Sequence, residues 1–386
     1  MPGSISTKGD RLQFSGLKCV CGNAHQLPTQ DLYIGSDMAT KLPRCIKKRE
    51  LGQKAVLVSD QAAYDAAGRA LLQAMRKAGF EVTLALLSRP VADERSLGEA
   101  MLAMRMDTEF FIGAGGIEVA NVTQAAAAQT ERPYALLATR PDGCGYLSQQ
   151  AQMALKGEAM ALPAVAPELI AFDLGALMDA PPESFAEGLL DLAACHLARA
   201  DWAALKLLRE DAYCPLCADL AVQAAERAFS AIEEIAAKSE GGVKTLAESL
   251  LMAGVAAFVS GGSRPVSSSA QCLARRASLS GEAGYPIALA GAVMLLLDAY
   301  RAFDPEKNAC SGGDPEALKA LLSRRAGLKQ VLERLPSGEA VSAAVRKVAP
   351  ELSFDAPALH APRADSANAC GGLWDYATLA GCPPVS

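Results

Sequence analysis

Short apolar runs alternate with longer amphipathic segments in the first part of the chain. Short apolar runs bounded by turn residues predict buried strands, and segments with apolar residues every three or four positions predict helices. The predicted strands are 55–58, 81–87, 110–112, 134–138, 159–162 and 169–172. The predicted helices between them are 37–50, 62–78 and 95–106, with an alanine-rich helix after residue 116.

Helical periodicity dominates from about residue 180 onward. The predicted helices are 184–208, 218–237, 243–259, 285–300, 315–335 and 340–347. Strand and helix alternation predicts a mainly parallel sheet covered by helices. The sequence therefore predicts an α/β, Rossmann-like nucleotide-binding domain over 1–179 and an all-α domain over 180–386. The segment 355–386 is rich in Pro, Gly, Ala and Asp, which predicts a loosely packed tail.

Three polar loops follow three of the predicted strands. They contain Ser59-Asp60, the glycine turn Gly113 to Gly116, and Thr139 to Gly145. Parallel sheets bind ligands beyond the carboxyl ends of their strands, and a glycine turn before a helix suits a nucleotide phosphate. Two structural alternatives stay open: the turn as a plain strand-to-helix connection, and Asp60 as a helix N-cap.

Composition and charge narrow the possible partners. The 386-residue chain is 51% hydrophobic with a formal charge of −6, and its longest basic run is Lys47-Lys48-Arg49, which argues against nucleic acid. The N-terminus has no apolar run of signal-peptide length, and the run 287–297 is too short to span a bilayer. We expect a cytoplasmic protein with no membrane partner and with reduced cysteines.

Two cysteine motifs have the appearance of metal sites. Cys19, Cys21 and His25 supply three ligands at most, so we expect a β-turn with incidental thiols, although metal binding after folding stays open. The segment Cys214-Pro215-Leu216-Cys217 lacks a second cysteine pair nearby in the sequence, which favours a structural role.

Many segments, in order, resemble one family of enzymes. They include CVCGNAH (19–25), LYIGSDMATKLP (32–43), RPYALLATRPDGCGYLS (132–148), GLLDLAACHLARADW (188–202) and ESLLMAGVAAFVSGGSRPVSSSAQ (248–271). The chain resembles the sn-glycerol-1-phosphate dehydrogenases, within the superfamily of iron-containing alcohol dehydrogenases, glycerol dehydrogenases and dehydroquinate synthases. The resemblance implies a dehydroquinate synthase-like fold and a homo-oligomer. It also implies NAD or NADP as cofactor, and a small polyol or keto phosphate such as dihydroxyacetone phosphate as substrate.

The resemblance also implies a set of cofactor-binding positions. Those that carry over are Asp60, Gly113, Gly115, Gly116, Thr139 and Cys144. Cys144 stands where the family has an Asp, and Val119 and Val122 stand where it has an Asp and a Lys. Arg140 adds a positive charge that is suited to a phosphate.

The family holds a divalent metal, zinc or nickel, with one Asp and two His of the helical domain. Asp191 matches the Asp, eleven residues before Trp202, whereas Gln271 and Ser280 stand at the two His positions. An amide oxygen and a neutral hydroxyl are weak ligands for such metals, so the resemblance implies a largely lost metal site. Cys195 shares the helix face of Asp191 and offers a relocated site, while His196 is expected to be a hydrogen-bonded helix histidine.

Two functions therefore stay open. One is a divergent NAD(P)-dependent dehydrogenase that transfers hydride between the cofactor and a small keto phosphate. The other is a catalytically inactive relative that binds a nucleotide or has a regulatory role. A lyase like dehydroquinate synthase needs the same metal and meets the same objection. The sequence assigns neither the substrate nor the choice between NAD and NADP.

Overall fold

A computed structural model describes residues 5–14, 17–22, 24–27, 31–308, 313–354 and 371–384. The strands of its eight-stranded main sheet are β1 (Ile5–Lys8), β2 (Arg11–Phe14), β5 (Asp31–Gly35), β6 (Lys54–Asp60), β7 (Glu81–Leu87), β8 (Phe110–Gly115), β9 (Tyr134–Ala138) and β12 (Leu169–Asp173). Their order in the sheet is β1-β2-β5-β12-β9-β8-β6-β7. Two small hairpins are formed by β3 (Leu17–Lys18) with β4 (Ala24–His25), and by β10 (Gln150–Leu155) with β11 (Glu158–Pro163).

The six strands from β5 to β7 in this order are parallel, as the alternating pattern predicts. Their central members are buried on both faces, which explains why β8 and β9 are continuous apolar runs. The antiparallel strands β1 and β2 were not predicted, because their short mixed sequences carry little periodicity.

The helices between the strands are close to those predicted. They are α1 (Met38–Lys48), α2 (Gln61–Ala63), α3 (Arg69–Lys77), α4 (Glu94–Leu102), α5 (Ile117–Thr130) and α6 (Leu174–Met178). A π-helical turn over Tyr64–Gly68 joins α2 to α3, so the single predicted helix over 62–78 contains one irregular turn.

The described elements after residue 181 are all helical. They are α7 (Pro182–Arg209), α8 (Pro215–Ser230), α9 (Ile232–Ala236), α10 (Glu240–Ser260), α11 (Ser269–Leu279), α12 (Tyr285–Ala302), α13 (Pro305–Asn308), α14 (Pro315–Ser323), α15 (Arg325–Leu332), α16 (Gly338–Val348) and α17 (Leu373–Leu379). Helix α11 was not predicted. Its start is a capping box between Ser268 and Gln271, hidden in a run of serines that reads as a loop.

One buried apolar cluster extends from the sheet into the helices. It joins Val58 and Phe172 of the strands to Leu189 of α7 and Leu250 of α10. A second cluster fills the other face of the sheet, beneath α1 and α3. Because the first cluster is continuous, the division at residue 179 stays a prediction about domains, although it separates the strands from the long helices.

Helices α10 and α12 have the length and apolar composition of membrane spans. The expectation that the run 287–297 is too short to span a bilayer counted only part of α12, which has 18 residues. In α10, 83% of the most apolar window is buried inside the protein, and packing against α7 and α8 explains its composition. The corresponding share for α12 is 50%.

The prediction of a loose tail is wrong for residues 371–384. Helix α17 packs on α7, and the indole of Trp374 is 1% exposed. A carboxylate on α7 holds this segment, since Asp201 accepts hydrogen bonds from the Leu373 N–H (2.8 Å), the Tyr300 hydroxyl (2.7 Å) and the Ser269 N–H (2.9 Å). Composition could not show this contact, because its partners are far apart in the sequence.

Cysteine chemistry departs from expectation at one position. The free cysteines in the described part of the chain include Cys144, Cys195, Cys214 and Cys217. Cys272, however, is disulfide-bonded. The expectation of reduced thiols therefore fails at Cys272.

We predict that replacing Trp374 with alanine lowers the free energy of unfolding by about 3–5 kcal/mol, the usual cost of removing a large buried aromatic side chain. Leu379→Ala on the same helix is the control, because Leu379 is 44% exposed and should cost well under 1 kcal/mol. Urea unfolding followed by circular dichroism measures both. Equal losses in the two variants would contradict the packing of α17.

Candidate functional site

The three polar loops meet at one edge of the sheet, as their places after parallel strands predict. The Ser59 hydroxyl at the end of β6 donates to the Ala114 carbonyl of β8 at 2.7 Å. The Thr139 N–H after β9 donates to the Gly115 carbonyl at 3.1 Å. Asp60, the glycine turn and the Thr139 loop thus lie side by side.

Two of the glycines are needed for contacts within the protein itself. A Cβ atom on Gly113 would lie 2.5 Å from the Thr123 hydroxyl, and one on Gly115 would lie 2.6 Å from the Val119 side chain. Both contacts come from helix α5, which packs closely on β8. The two positions therefore require glycine whether or not a nucleotide binds.

The third glycine faces a carboxylate. Asp142 accepts a hydrogen bond from the Ile117 N–H at 3.0 Å and another from the Tyr146 hydroxyl at 2.7 Å. A Cβ atom on Gly116 would collide with the same carboxylate. The first N–H of α5, where a bound phosphate would accept hydrogen bonds, is therefore occupied by the protein's own anion.

Asp142 is 7% exposed, and burial raises the pKa of its carboxyl to about 6. The hydrogen bonds from Tyr146 and Ile117 and the charge of Arg140 act in the opposite direction but are the smaller effect. The cost of desolvation thus exceeds the stabilisation that the donors provide.

Asp60 and Arg140 bind each other. The Arg140 guanidinium lies 3.1 Å from the Asp60 carboxylate, which also caps α2 through the Ala63 N–H at 3.0 Å. The N-cap alternative for Asp60 is thus observed, and Arg140 is engaged by an acid. Thr139 is 2% exposed, and its hydroxyl has no hydrogen-bond partner within the described ranges.

A cavity of about 960 Å³ opens between the sheet edge and the helices. Its polar lining includes the carboxyl groups of Glu118 from α5, Asp142, and Glu187 and Asp191 from α7, together with Arg275 and Arg276 from α11. Burial raises the pKa of Glu187 well above its ordinary value, and the charges of Asp142, Glu118 and Asp191 add to the effect. The acids thus raise one another's pKa values in this part of the cavity.

Arg275 of α11 is a cation that acts on two of these acids, Glu187 and Asp191. Its charge lowers the pKa of Glu187 and of Asp191, and its guanidinium lies 5.4 Å from the centre of the Tyr285 ring. Both residues line the cavity. Arg275 is thus a basic group, carried by the protein itself, beside the family's metal position.

Asp191 is held by two donors rather than left open. The Cys144 N–H donates to one carboxylate oxygen at 2.7 Å, and the Gln271 side-chain N–H donates to the other. Burial raises the pKa of Asp191, while these hydrogen bonds act in the opposite direction. Asp191 therefore has a hydrogen-bond donor on each of its two oxygens.

The orientation of the Gln271 amide follows from its other partners. Its oxygen accepts from the Ser268 N–H at 2.7 Å, and its nitrogen donates to the Val266 carbonyl at 2.9 Å. A backbone N–H can only donate and a carbonyl can only accept, so a flipped amide would break both hydrogen bonds. Gln271 consequently presents hydrogens, not a ligand oxygen, to Asp191.

Ser280 does not join this pair. Its hydroxyl is exposed and bonded to the Ala277 carbonyl and to the Glu282 carboxylate, both at 3.0 Å. Cys195 is buried with its thiol 3.7 Å from the backbone carbonyl of Asp191, not from its carboxylate. Within the described residues, Asp191 and Cys195 belong to no close group of three metal-ligating atoms.

The expectation for His196 is wrong. Its Nδ1 has no hydrogen-bond partner in the described part of the chain, and burial lowers the pKa of the imidazole to about 4. His196 is therefore a neutral core residue. Val119 and Val122 are also core residues, at 1% and 0% exposure, and Cys144 contributes its backbone N–H to Asp191 while burial raises its thiol pKa.

Sequence reasoning missed Asp142, Glu187, Arg275 and Tyr285. Asp142 lies inside the predicted loop, but the comparison with the family singled out Cys144 rather than Asp142. Glu187 carried a usable signal, since it lies four residues before Asp191 and so shares its helix face. Arg275 carried none, because α11 was unpredicted, and Tyr285 began the predicted helix 285–300 without a motif to distinguish it.

We predict that Asp142→Asn becomes more stable relative to the unmodified chain as the pH rises. The difference between their free energies of unfolding should increase by up to about 3 kcal/mol between pH 4 and pH 7.5. The folded-state pKa of Asp142 is raised from 3.8 to about 6. The aspartate's contribution is therefore full below pH ~4 and is lost as the pH rises through ~6, whereas asparagine does not titrate. Urea unfolding at several pH values tests this, and pH-independent differences between the two chains would refute it.

Comparison with known proteins shows which enzymes this chain resembles. The family model for iron-containing alcohol dehydrogenases matches residues 33–181. Glycerol-1-phosphate dehydrogenase [NAD(P)+] of Bacillus licheniformis is 27% identical over 87% of this chain and 84% of its own length.

Two solved structures share the fold. Iron-containing alcohol dehydrogenase of Thermotoga maritima has a TM-score of 0.61 at 13% identity, over 85% of this chain and 93% of its own. Glycerol dehydrogenase of Schizosaccharomyces pombe has a TM-score of 0.59 at 16% identity, over 83% and 89%. The chain therefore has the fold of these enzymes and resembles the glycerol-1-phosphate dehydrogenases over most of its length.

Proposed function

We propose that this chain is a divergent relative of the NAD(P)-dependent glycerol-1-phosphate dehydrogenases that has lost the family metal site. On this proposal it keeps the cleft as a small-molecule binding site and does not catalyse the family's hydride transfer. The observation that carries the proposal is the hydrogen bond from the Gln271 amide to Asp191.

The residues present do not fit the family metal. A divalent ion at Asp191 needs oxygen or nitrogen lone pairs directed at it, but Gln271 directs N–H groups there and Ser280 bonds to Glu282. Loss of a single group that orients a ligand lowers metal affinity by roughly 10–100-fold. Replacement of two ligands therefore removes the Lewis acid that would polarise a substrate carbonyl.

In the expected cofactor site, the protein's own side chains also occupy the positions that a ligand would use. A dinucleotide bound in the family manner places its pyrophosphate at the N-terminus of α5, where Asp142 already accepts the Ile117 N–H. Arg140 is engaged by Asp60 and is not available to a phosphate. We infer that NAD or NADP binds weakly at neutral pH, because its phosphates must displace a carboxylate.

One observation favours retained dehydrogenase activity as the second candidate. The Thr139 hydroxyl is buried without a partner in the described residues, as expected of a group that awaits a ligand. Bound cofactor would satisfy it. The two candidates differ in turnover, so a hydride-transfer assay separates them.

We predict no turnover of dihydroxyacetone phosphate with NADH or NADPH, with or without added zinc or nickel. The assay follows cofactor absorbance at pH 7.5, with an active glycerol-1-phosphate dehydrogenase as the positive control. Metal-stimulated turnover that disappears in Asp191→Ala would overturn the proposal and establish the second candidate.

We predict that Asp142→Ser raises the affinity for NADH at pH 7.5 by at least about tenfold, roughly 1.4 kcal/mol. The substitution frees the Ile117 N–H and removes a negative charge from the phosphate position. Asp179→Ser is the matched control, since it changes the net charge equally at an exposed position. Fluorescence titration measures both variants, and an unchanged affinity in Asp142→Ser would show that phosphates do not bind there.

A further inference from the structure

The tertiary structure brings the two cysteine motifs together. Sγ of Cys19 lies 3.4 Å from Sγ of Cys214, although the two residues are 195 positions apart in the chain. His25 Nε2 lies 3.1 Å from Sγ of Cys21 and 3.3 Å from Sγ of Cys214. The premise that Cys214 lacks a second cysteine pair nearby is therefore wrong in three dimensions.

The four ligand atoms form a compact group. Sγ of Cys19, Cys21 and Cys214 and one ring nitrogen of His25 all lie within 4.8 Å of one another. A tetrahedral zinc site with Zn–S bonds of about 2.3 Å has ligand atoms separated by about 3.8 Å. This Cys/His cluster (Cys19, Cys21, His25, Cys214) thus has the size and the ligand chemistry of a structural Cys₃His zinc site.

The histidine is oriented as a metal ligand. His25 is buried, and its Nδ1 lies 2.7 Å from the Val259 carbonyl at the end of α10. Because a carbonyl can only accept, Nδ1 carries the hydrogen and the lone pair of Nε2 faces the thiols. A ring N–H bound to a backbone carbonyl is the usual support of a zinc-binding histidine.

A cluster without a metal leaves polar groups poorly satisfied. The single lone pair of Nε2 is approached by both Cys21 and Cys214, and it can accept one good hydrogen bond. A cation shared by the nitrogen and the sulfurs satisfies them all. Backbone N–H groups of Cys21 and Cys217 also point at the sulfurs of Cys19 and Cys214, at 3.5 and 3.4 Å.

We propose that Cys19, Cys21, His25 and Cys214 bind one zinc ion, at a site separate from the Asp191 cleft. On binding, three thiols release their protons to solvent while three Zn–S bonds and one Zn–N bond form. Cys217, whose Sγ lies 3.6 Å from His25 Nδ1, stands beside the site and is not a ligand.

The position of the site gives it a structural role. It fastens the β3–β4 hairpin to the N-terminus of α8, where Cys214 is the N-cap, and His25 adds the end of α10. The chain after α10 lines the cavity with Gly261, Gly262 and Ser263. The zinc thus crosslinks two segments distant in sequence, and the His25 hydrogen bond connects them to α10 at one rim of the cleft.

The test is the zinc content of the full chain after purification under reducing conditions. Inductively coupled plasma mass spectrometry measures it. We expect one zinc per chain, lost in Cys214→Ser and Cys19→Ser. It should be retained in Cys45→Ser, a partly buried thiol elsewhere, and in Asp191→Ala. Zinc lost only in Asp191→Ala would overturn this site and the proposed loss of the family metal together.

A second measurement does not depend on variants that fold poorly. Chelation of the unmodified protein should lower its melting temperature, and added zinc should restore it. Cobalt substitution should give the visible absorption of tetrahedral thiolate coordination. No metal uptake by the reduced chain, or a Cys19–Cys214 disulfide in protein purified without oxidant, would overturn the proposal.

Discussion

A carboxylate removed from bulk water needs hydrogen-bond donors, and much of this structure follows from how that need is met. Asp201 obtains its donors from α11, α12 and α17 and so fixes the C-terminal segment. Asp142 takes the first N–H of α5, and Asp191 takes the amide of Gln271. In each case the donor belongs to the protein, so the fold satisfies these buried carboxyl groups internally.

On the proposed function, this internal satisfaction explains how the fold is kept without the activity of its relatives. The sheet, the glycine turn and the cleft are retained because Gly113 and Gly115 are needed for packing α5 on β8. The chemistry of the cleft depends on a few side chains that packing does not constrain. Gln271 forms a capping box with Ser268 and donates a hydrogen bond to Asp191, and these two contacts hold the start of α11 in position.

The sulfur and nitrogen atoms of the Cys/His cluster are buried or partly buried and also need polar partners. Three of its ligand atoms lie on the β3–β4 hairpin and the fourth lies at the start of α8, while the end of α10 accepts the Nδ1 hydrogen of His25. A metal there would stabilise this junction, because its ligands come from two elements that are distant in sequence. The protein thus has a candidate structural metal site away from the cleft, in which Asp191 accepts hydrogen bonds from Cys144 and Gln271.

The sequence by itself determined the parallel strands, most helices, the convergence of Asp60, Gly116 and Thr139, and the family resemblance, since these follow from local periodicity and short motifs. It missed α11, because a serine-rich cap resembles a loop. Only the tertiary structure decided that Asp142 closes the glycine turn, that Gln271 donates to Asp191, and that Cys214 meets Cys19. These contacts join residues separated by many positions, and no local pattern records which distant donor a buried group will find.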